Sequence, residues 1–147
     1  MEFRLLGPLE VDDDGKPISL GGAKQRALFA LLLLDRGRAV STDRLVEEIW
    51  AGEPPQTASK SIQVYVSGLR KLLGDGRIVT RERGYELRAE PGETDVDRFD
   101  DLVRMASDAP VADAAVLLRD ALALVRGRPL EDISLEPWAA AEATRLE

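Results

Sequence analysis

Thr57-Ala-Ser-Lys-Ser-Ile-Gln-Val-Tyr-Val-Ser-Gly-Leu-Arg-Lys-Leu-Leu73, followed by Ile78-Val-Thr-Arg-Glu-Arg-Gly-Tyr-Glu-Leu87, decides the fold. In the first stretch Ile62, Val66, Leu69 and Leu73 recur at four, three and four residues, which is one face of a helix. The other face carries Lys60, Gln63, Val64, Ser67, Arg70 and Lys71. Gly74-Asp75-Gly76 stops this helix. In the second stretch two β-prone runs flank Arg81-Glu82-Arg83-Gly84, a hairpin with a basic tip.

Upstream, Ser41-Thr42-Asp43 opens another helix, with Ser41 as cap and Asp43 at the positive end of the dipole. Leu45, Val46, Ile49 and Trp50 form its apolar face, and Gly52 with Pro54-Pro55 ends it. Ala23 to Asp35 reads as a largely buried helix, Gly37 as its stop, and Ala39-Val40 as an extended link. The first twenty residues alternate as short strands, through Phe3, Leu5, Leu9 and Val11, then Ile18 and Leu20. Asp12-Asp13-Asp14-Gly15 is a turn signal; no ligand set at metal spacing follows it. Strands, three helices and a hairpin make a winged helix-turn-helix: an α+β fold with an N-terminal antiparallel sheet and a C-terminal β-hairpin wing.

At Pro91-Gly92 the composition changes. The remainder is acidic and all-α, in TPR-like helices. One helix is expected over 96–107, with Phe99, Leu102, Val103 and Ala106 on one side. A second is expected over 112–126, with Ala115, Leu118, Leu122 and Val125 in register, and a third from Glu136-Pro137-Trp138. Trp50 and Trp138 are expected as core anchors. Residues 1–92 are therefore read as one domain and 93–147 as the start of a second. Stacked helical pairs need further repeats to close a core, so the second domain is expected to be truncated.

The 147 residues hold neither histidine nor cysteine. Thiol and imidazole chemistry are excluded, and with them most metal sites. Glu47 and Glu48 are adjacent, so on a helix they point ~100° apart and make no acid–base pair. No Gly-rich phosphate loop is present. No enzyme, cofactor, catalytic residue or metal site is expected. The longest apolar run, Ala27 to Leu34, is too short to cross a bilayer. No secretory signal is read at Met1, so a cytoplasmic, nucleoid-associated protein without membrane contact is expected.

Twenty Lys/Arg against 27 Asp/Glu leave a net charge of −7. Residues 1–92 are neutral, with fourteen of each sign, so the excess belongs to 93–147, with six basic against thirteen acidic. Residues 60–88 carry seven basic against three acidic groups, a net of +4. Screening erases charge beyond ~8 Å at physiological salt, so the local field counts. By itself the basic stretch fits DNA binding or a solvated face. A winged helix favours the former: its third helix fits a major groove and its hairpin tip reaches the neighbouring minor groove.

The segments Ala23 to Leu34, Ser41 to Trp50, Lys60 to Leu73 and Arg83-Gly84-Tyr85 resemble the OmpR-type DNA-binding domain. More closely they resemble the Streptomyces antibiotic regulatory proteins, the SARP family. Asp95 to Phe99, Leu117 to Leu124, Pro137-Trp138 and Ala141-Glu142 resemble that family's bacterial transcriptional activation domain. The resemblance implies an activator of a secondary-metabolite (antibiotic) gene cluster. It would bind direct repeats in double-stranded DNA, as a side-by-side homodimer, and recruit RNA polymerase through its sigma factor and α-subunit. No receiver domain is expected ahead of the winged helix, so two-component phosphorylation is not implied.

The implied DNA-facing residues of the third helix are Thr57, Ser59, Lys60, Gln63, Val64, Ser67, Arg70 and Lys71. In the wing they are Arg77, Thr80, Arg81 and Arg83. Gly68 stands where relatives carry Arg, so one base contact is missing. Gln63 is expected to read bases, since Gln suits adenine N6/N7, with Lys60, Arg70 and Lys71 on phosphates and Arg81 near the minor groove. Tyr65 reads as a partly buried edge residue or a base contact. The alternative to the whole assignment is a protein-interaction module that uses the winged helix and helical repeats without DNA readout.

Overall fold

The computed structural model describes residues 1–133 and 144–146. The helix expected from Glu136, and with it Trp138, lies outside the described residues. Contacts divide the chain into two compact units. One is Ile18–Ala89; the other gathers Met1–Pro17 and the described residues from Glu90 onward.

In the first unit, α1 (Ala23–Leu34) buries every residue from Ala27 to Leu33. Seven apolar residues in a row cover the whole circumference of a helix, so it must be enclosed. Both α2 (Thr42–Trp50) and α3 (Ala58–Leu73) pack against it and against each other. Ser41 caps α2 by accepting the Arg44 N–H at 3.1 Å, and Leu45 and Ile49 are its buried residues. The buried face of α3 is Ala58, Ile62, Val66, Leu69 and Leu73. Strands β5 (Ile78–Arg81) and β6 (Gly84–Leu87) form the expected hairpin.

The expected link at Val40 is a strand. β4 (Val40–Ser41) pairs antiparallel with β6, giving the order β4-β6-β5. Two residues are too few to show a period of two, so local pattern missed it. The close approach has a requirement: a Cβ at position 84 would lie 1.9 Å from the Val40 carbonyl oxygen. Only glycine fits there.

In the second unit, β1 (Glu2–Arg4), β2 (Glu10–Asp13) and β3 (Lys16–Ile18) form a sheet in that order, with Phe3 opposite Val11. Asp14 and Gly15, at φ +53° and +81°, make the turn expected of the acidic run, and Asp12 pairs with Arg4 at 2.7 Å. The free edge of β1 meets the start of α4 (Asp95–Ser107). Phe3 N–H donates to Glu93 O at 2.8 Å and bridges to Thr94. Thr94 caps α4 by accepting the Asp97 N–H at 3.1 Å.

Asp95 is 1% exposed, and its carboxylate accepts the N–H groups of Leu5 at 2.8 Å and Leu6 at 2.9 Å. Arg126 N–H donates to Leu6 O at 2.8 Å, and Leu130 N–H to Leu5 O at 3.0 Å. The strand pattern at 1–17, grouped by sequence with residues up to 92, therefore clusters with the acidic helical part. Every tie that puts it there spans about ninety residues or more, out of reach of local pattern.

α5 (Val111–Ala123) pairs with α4. The apolar stripe read in register is exposed. Leu118, Leu122 and Val125 are 44%, 66% and 44% exposed, and Ala115 is exposed too. Ala121 is buried, with Ala114, Leu117 and Leu124 half-buried. The segment is apolar on nearly every side, so either stripe fits a helical period; contact with α4 selects one. The helix stops short of Arg126, whose backbone is taken by Leu6.

Replacing Asp95 with Ala removes the acceptor for two buried N–H groups. The expected cost is roughly 1–3 kcal/mol for each orphaned donor. Asp95→Asn, which keeps one acceptor oxygen, loses less. Urea melts of the three proteins check this order, and coincident midpoints would refute it.

Candidate nucleic-acid interface

α3 is amphipathic because its apolar residues recur at helical spacing. With that face buried against the core, Ser59, Lys60, Gln63, Val64, Ser67 and Lys71 are exposed together, as is Thr57 at the N-cap. Val64 is 65% exposed amid polar neighbours. Lys60 and Lys71 have no ion pair among the described residues. Lys71 and Arg70 sit in the last turn, where the helix dipole favours cations.

Gln25, Lys60, Gln63, Val64, Ser67, Gly68 and Lys71 line an open notch of about 510 Å³. Six of these lie on α3; Gln25 comes from α1 and was not among the expected site residues. A signal was present in Gly68: a glycine within a helix is costly unless something approaches it closely.

The structure places Arg70 differently from the other expected helix residues. It is half-buried; its Nε donates to Ile78 O at 3.1 Å and its terminal nitrogen to Thr80 Oγ1 at 2.7 Å. The guanidinium also lies 5.8 Å from the Tyr85 ring centroid. Arg70 and Thr80 thus join α3 to the wing.

Arg81 shares its charge within the wing, donating from Nε to Glu86 Oε1 at 3.1 Å. Arg83 is exposed in the two-residue turn Glu82–Arg83, with no ion pair among the described residues. Arg77 is at the open end, ~17 Å along the strand from the tip, where it donates to Arg88 O at 3.3 Å. The four expected wing residues are therefore not one cluster.

Tyr65 is half-buried and stacks on Trp50 with ring centroids 6.5 Å apart, the edge placement among its two readings. Trp50, expected as a core anchor, is itself half-buried, with Lys24 Nζ 5.2 Å over its ring. The indole is shared among a cation of α1, its own α2 and an aromatic of α3, which keeps one side at the surface.

Comparison with known proteins matches residues 15–87 to the family described as "Transcriptional regulatory protein, C terminal". Residues 94–147 match the family described as "Bacterial transcriptional activator domain". The regulatory protein DnrI of Streptomyces peucetius is 30% identical over all of this chain and 60% of its own length. The regulatory protein AfsR of Streptomyces coelicolor is 36% identical over 99% of this chain. The chain belongs to the SARP family of transcriptional regulators.

This SARP chain is also 38% identical, over 96% of its length, to the transcriptional regulatory protein EmbR of Mycobacterium tuberculosis. A solved structure of that EmbR in complex with a low-affinity phosphopeptide superposes with a TM-score of 0.91 at 35% identity, covering 99% of this chain. The SARP chain spans only part of these relatives: 15% of AfsR, 40% of EmbR and 60% of DnrI. It shares the winged-helix and helical architecture with the EmbR structure.

Removing the Arg70 guanidinium, as in Arg70→Met, should loosen the wing while leaving the buried face of α3 intact. A charged hydrogen bond contributes about 1.5–3 kcal/mol, so amide exchange across Ile78–Arg81 should quicken by roughly 10- to 150-fold. Unchanged protection there would show that Arg70 does not hold the hairpin.

Proposed function

We propose that this chain binds duplex DNA in a sequence-specific way, with α3 in the major groove and the wing tip toward the adjacent minor groove. One observation carries the reading. The helix that buries five residues in the core exposes Lys60, Gln63, Val64, Ser67 and Lys71 on a single face. Cations without internal partners meet phosphates, and an amide among them meets base edges. Gln63 reads a base; Lys60 and Lys71 contact phosphates, with Thr57, Ser59 and Ser67 beside them. Arg83 leads at the wing tip. Arg81 follows by exchanging Glu86 for phosphate, while Arg70, Thr80 and Arg77 keep the hairpin in place.

In this reading the winged helix within residues 1–92 serves DNA binding and 93–147 begin the activation domain, with which residues 1–17 cluster. The matches to 15–87 and 94–147 support that division of labour. The whole protein activates transcription from direct repeats, as side-by-side protomers, and recruits RNA polymerase through its sigma factor and α-subunit at a secondary-metabolite gene cluster. The acidic helical part, with Leu118 and Leu122 exposed, fits a protein partner better than a phosphate backbone. The site of action is cytoplasmic, on the nucleoid. Among the described residues no helix is long and apolar enough to cross a membrane.

Two substitutions separate the roles. Gln63→Ala should change preference at one base pair, by about 1–3 kcal/mol. Lys71→Ala should weaken all sequences alike and flatten the log–log salt dependence by about one. Footprinting across a salt series reads both. If neither the footprint nor its salt slope moves, α3 is not the reading helix. Partner capture insensitive to salt, with no duplex retained, would favour the interaction module.

A further inference from the structure

Some two thirds of the way along α3 the exposed face has no side chain, at Gly68, and a group from another helix occupies the space. A Cβ at position 68 would lie 2.7 Å from Gln25 Oε1 and 3.1 Å from Gln25 Nε2. Gly21, at φ +95°, borders the same group from the other end; a Cβ there would lie 2.7 Å from Nε2. Two glycines thus leave room for one carboxamide. That carboxamide is also oriented, because its Nε2 donates to Leu20 O at 2.8 Å. An amide nitrogen has two hydrogens and the oxygen two lone pairs. One N–H and the carbonyl oxygen therefore have no partner among the described residues, and the group lines the notch with Gln63 and Lys71.

We infer that Gln25 is a second specificity-determining residue, reading an adenine through the gap at Gly68. The inference rests on the DNA-binding reading above. In the major groove adenine shows an acceptor, N7, beside a donor, the N6 amino group. The remaining N–H and C=O of Gln25 match that pair. Guanine shows two adjacent acceptors, N7 and O6, so one of them would face the Gln25 oxygen. The Leu20 carbonyl keeps the amide from turning over, so the order of donor and acceptor is set before DNA arrives. α1 supplies what residue 68 cannot, and the two glutamines address different base pairs.

The test selects bound duplexes from a random-sequence DNA pool with the full chain and two variants. Gln25→Met keeps length and bulk but loses the amide. Adenine preference at one position of the selected site should fall roughly 5- to 150-fold, with the other positions unchanged. Gly68→Ala introduces the Cβ that displaces the carboxamide. It should relax the same position while the fold holds, because alanine is the better helix former and only a flexible tip must move. Thermal melts of both variants accompany the selection, and if Gln25→Met melts early the Gly68→Ala profile decides. A preference unchanged in both variants, a uniform loss over all positions, or effects at two different positions would overturn the role of Gln25. Wild-type protein retaining no duplex would overturn the DNA-binding reading, and this inference with it.

Discussion

Burial of α1 is the constraint on which the DNA-binding unit depends. Seven consecutive apolar residues, Ala27 to Leu33, have no side left for water. Fully burying side chains of this kind contributes on the order of 1.5–3 kcal/mol each, and that surface must be covered by neighbours. α2 and α3 supply the cover with single apolar faces. Once Ile62, Val66 and Leu69 are committed to α1, helical geometry obliges Gln63, Ser67 and Lys71 to point outward. The chemical face of α3 is the remainder left by packing.

Charge is partitioned in the same economical way. The molecule as a whole is acidic, at a net charge of −7. Several cations that look available in the sequence are occupied. Arg81 faces Glu86, and Arg70 is spent on Ile78, Thr80 and Tyr85. Lys60 and Lys71 on the helix and Arg83 in the turn have no ion pair among the described residues. Exposed ion pairs such as Arg81 with Glu86 are worth little, so a phosphate can compete for the arginine. A guanidinium with two hydrogen bonds and an aromatic ring beneath it is a different matter.

In the other unit, one buried carboxylate organises the meeting of chain ends. Asp95 stands in the first turn of α4, where the helix dipole already favours an anion, and it satisfies two backbone donors of the N-terminal segment. Burying a carboxylate is costly unless its oxygens are hydrogen-bonded, and both are. Arg126 and Leu130 add main-chain bonds to the same short stretch, so Leu5 and Leu6 are held from three directions.

Much of this was legible in the amino-acid order. The spacing Ile62, Val66, Leu69, Leu73 defined α3 and its outward residues; Ser41 and the turn at 82–83 marked where α2 begins and the hairpin folds back. These features depend on neighbours within one or two helical turns, so periodicity and capping chemistry are enough to decide them. Tertiary structure decided the rest: that Val40 is a strand, that residues 1–17 join the helical part, which apolar stripe of α5 faces α4, that Arg70 belongs to the wing, and that Gln25 fills the gap at Gly68. Each depends on a contact between residues far apart in the chain. A sequence pattern records which side chains could make such a contact, but only the packed chain selects the partner.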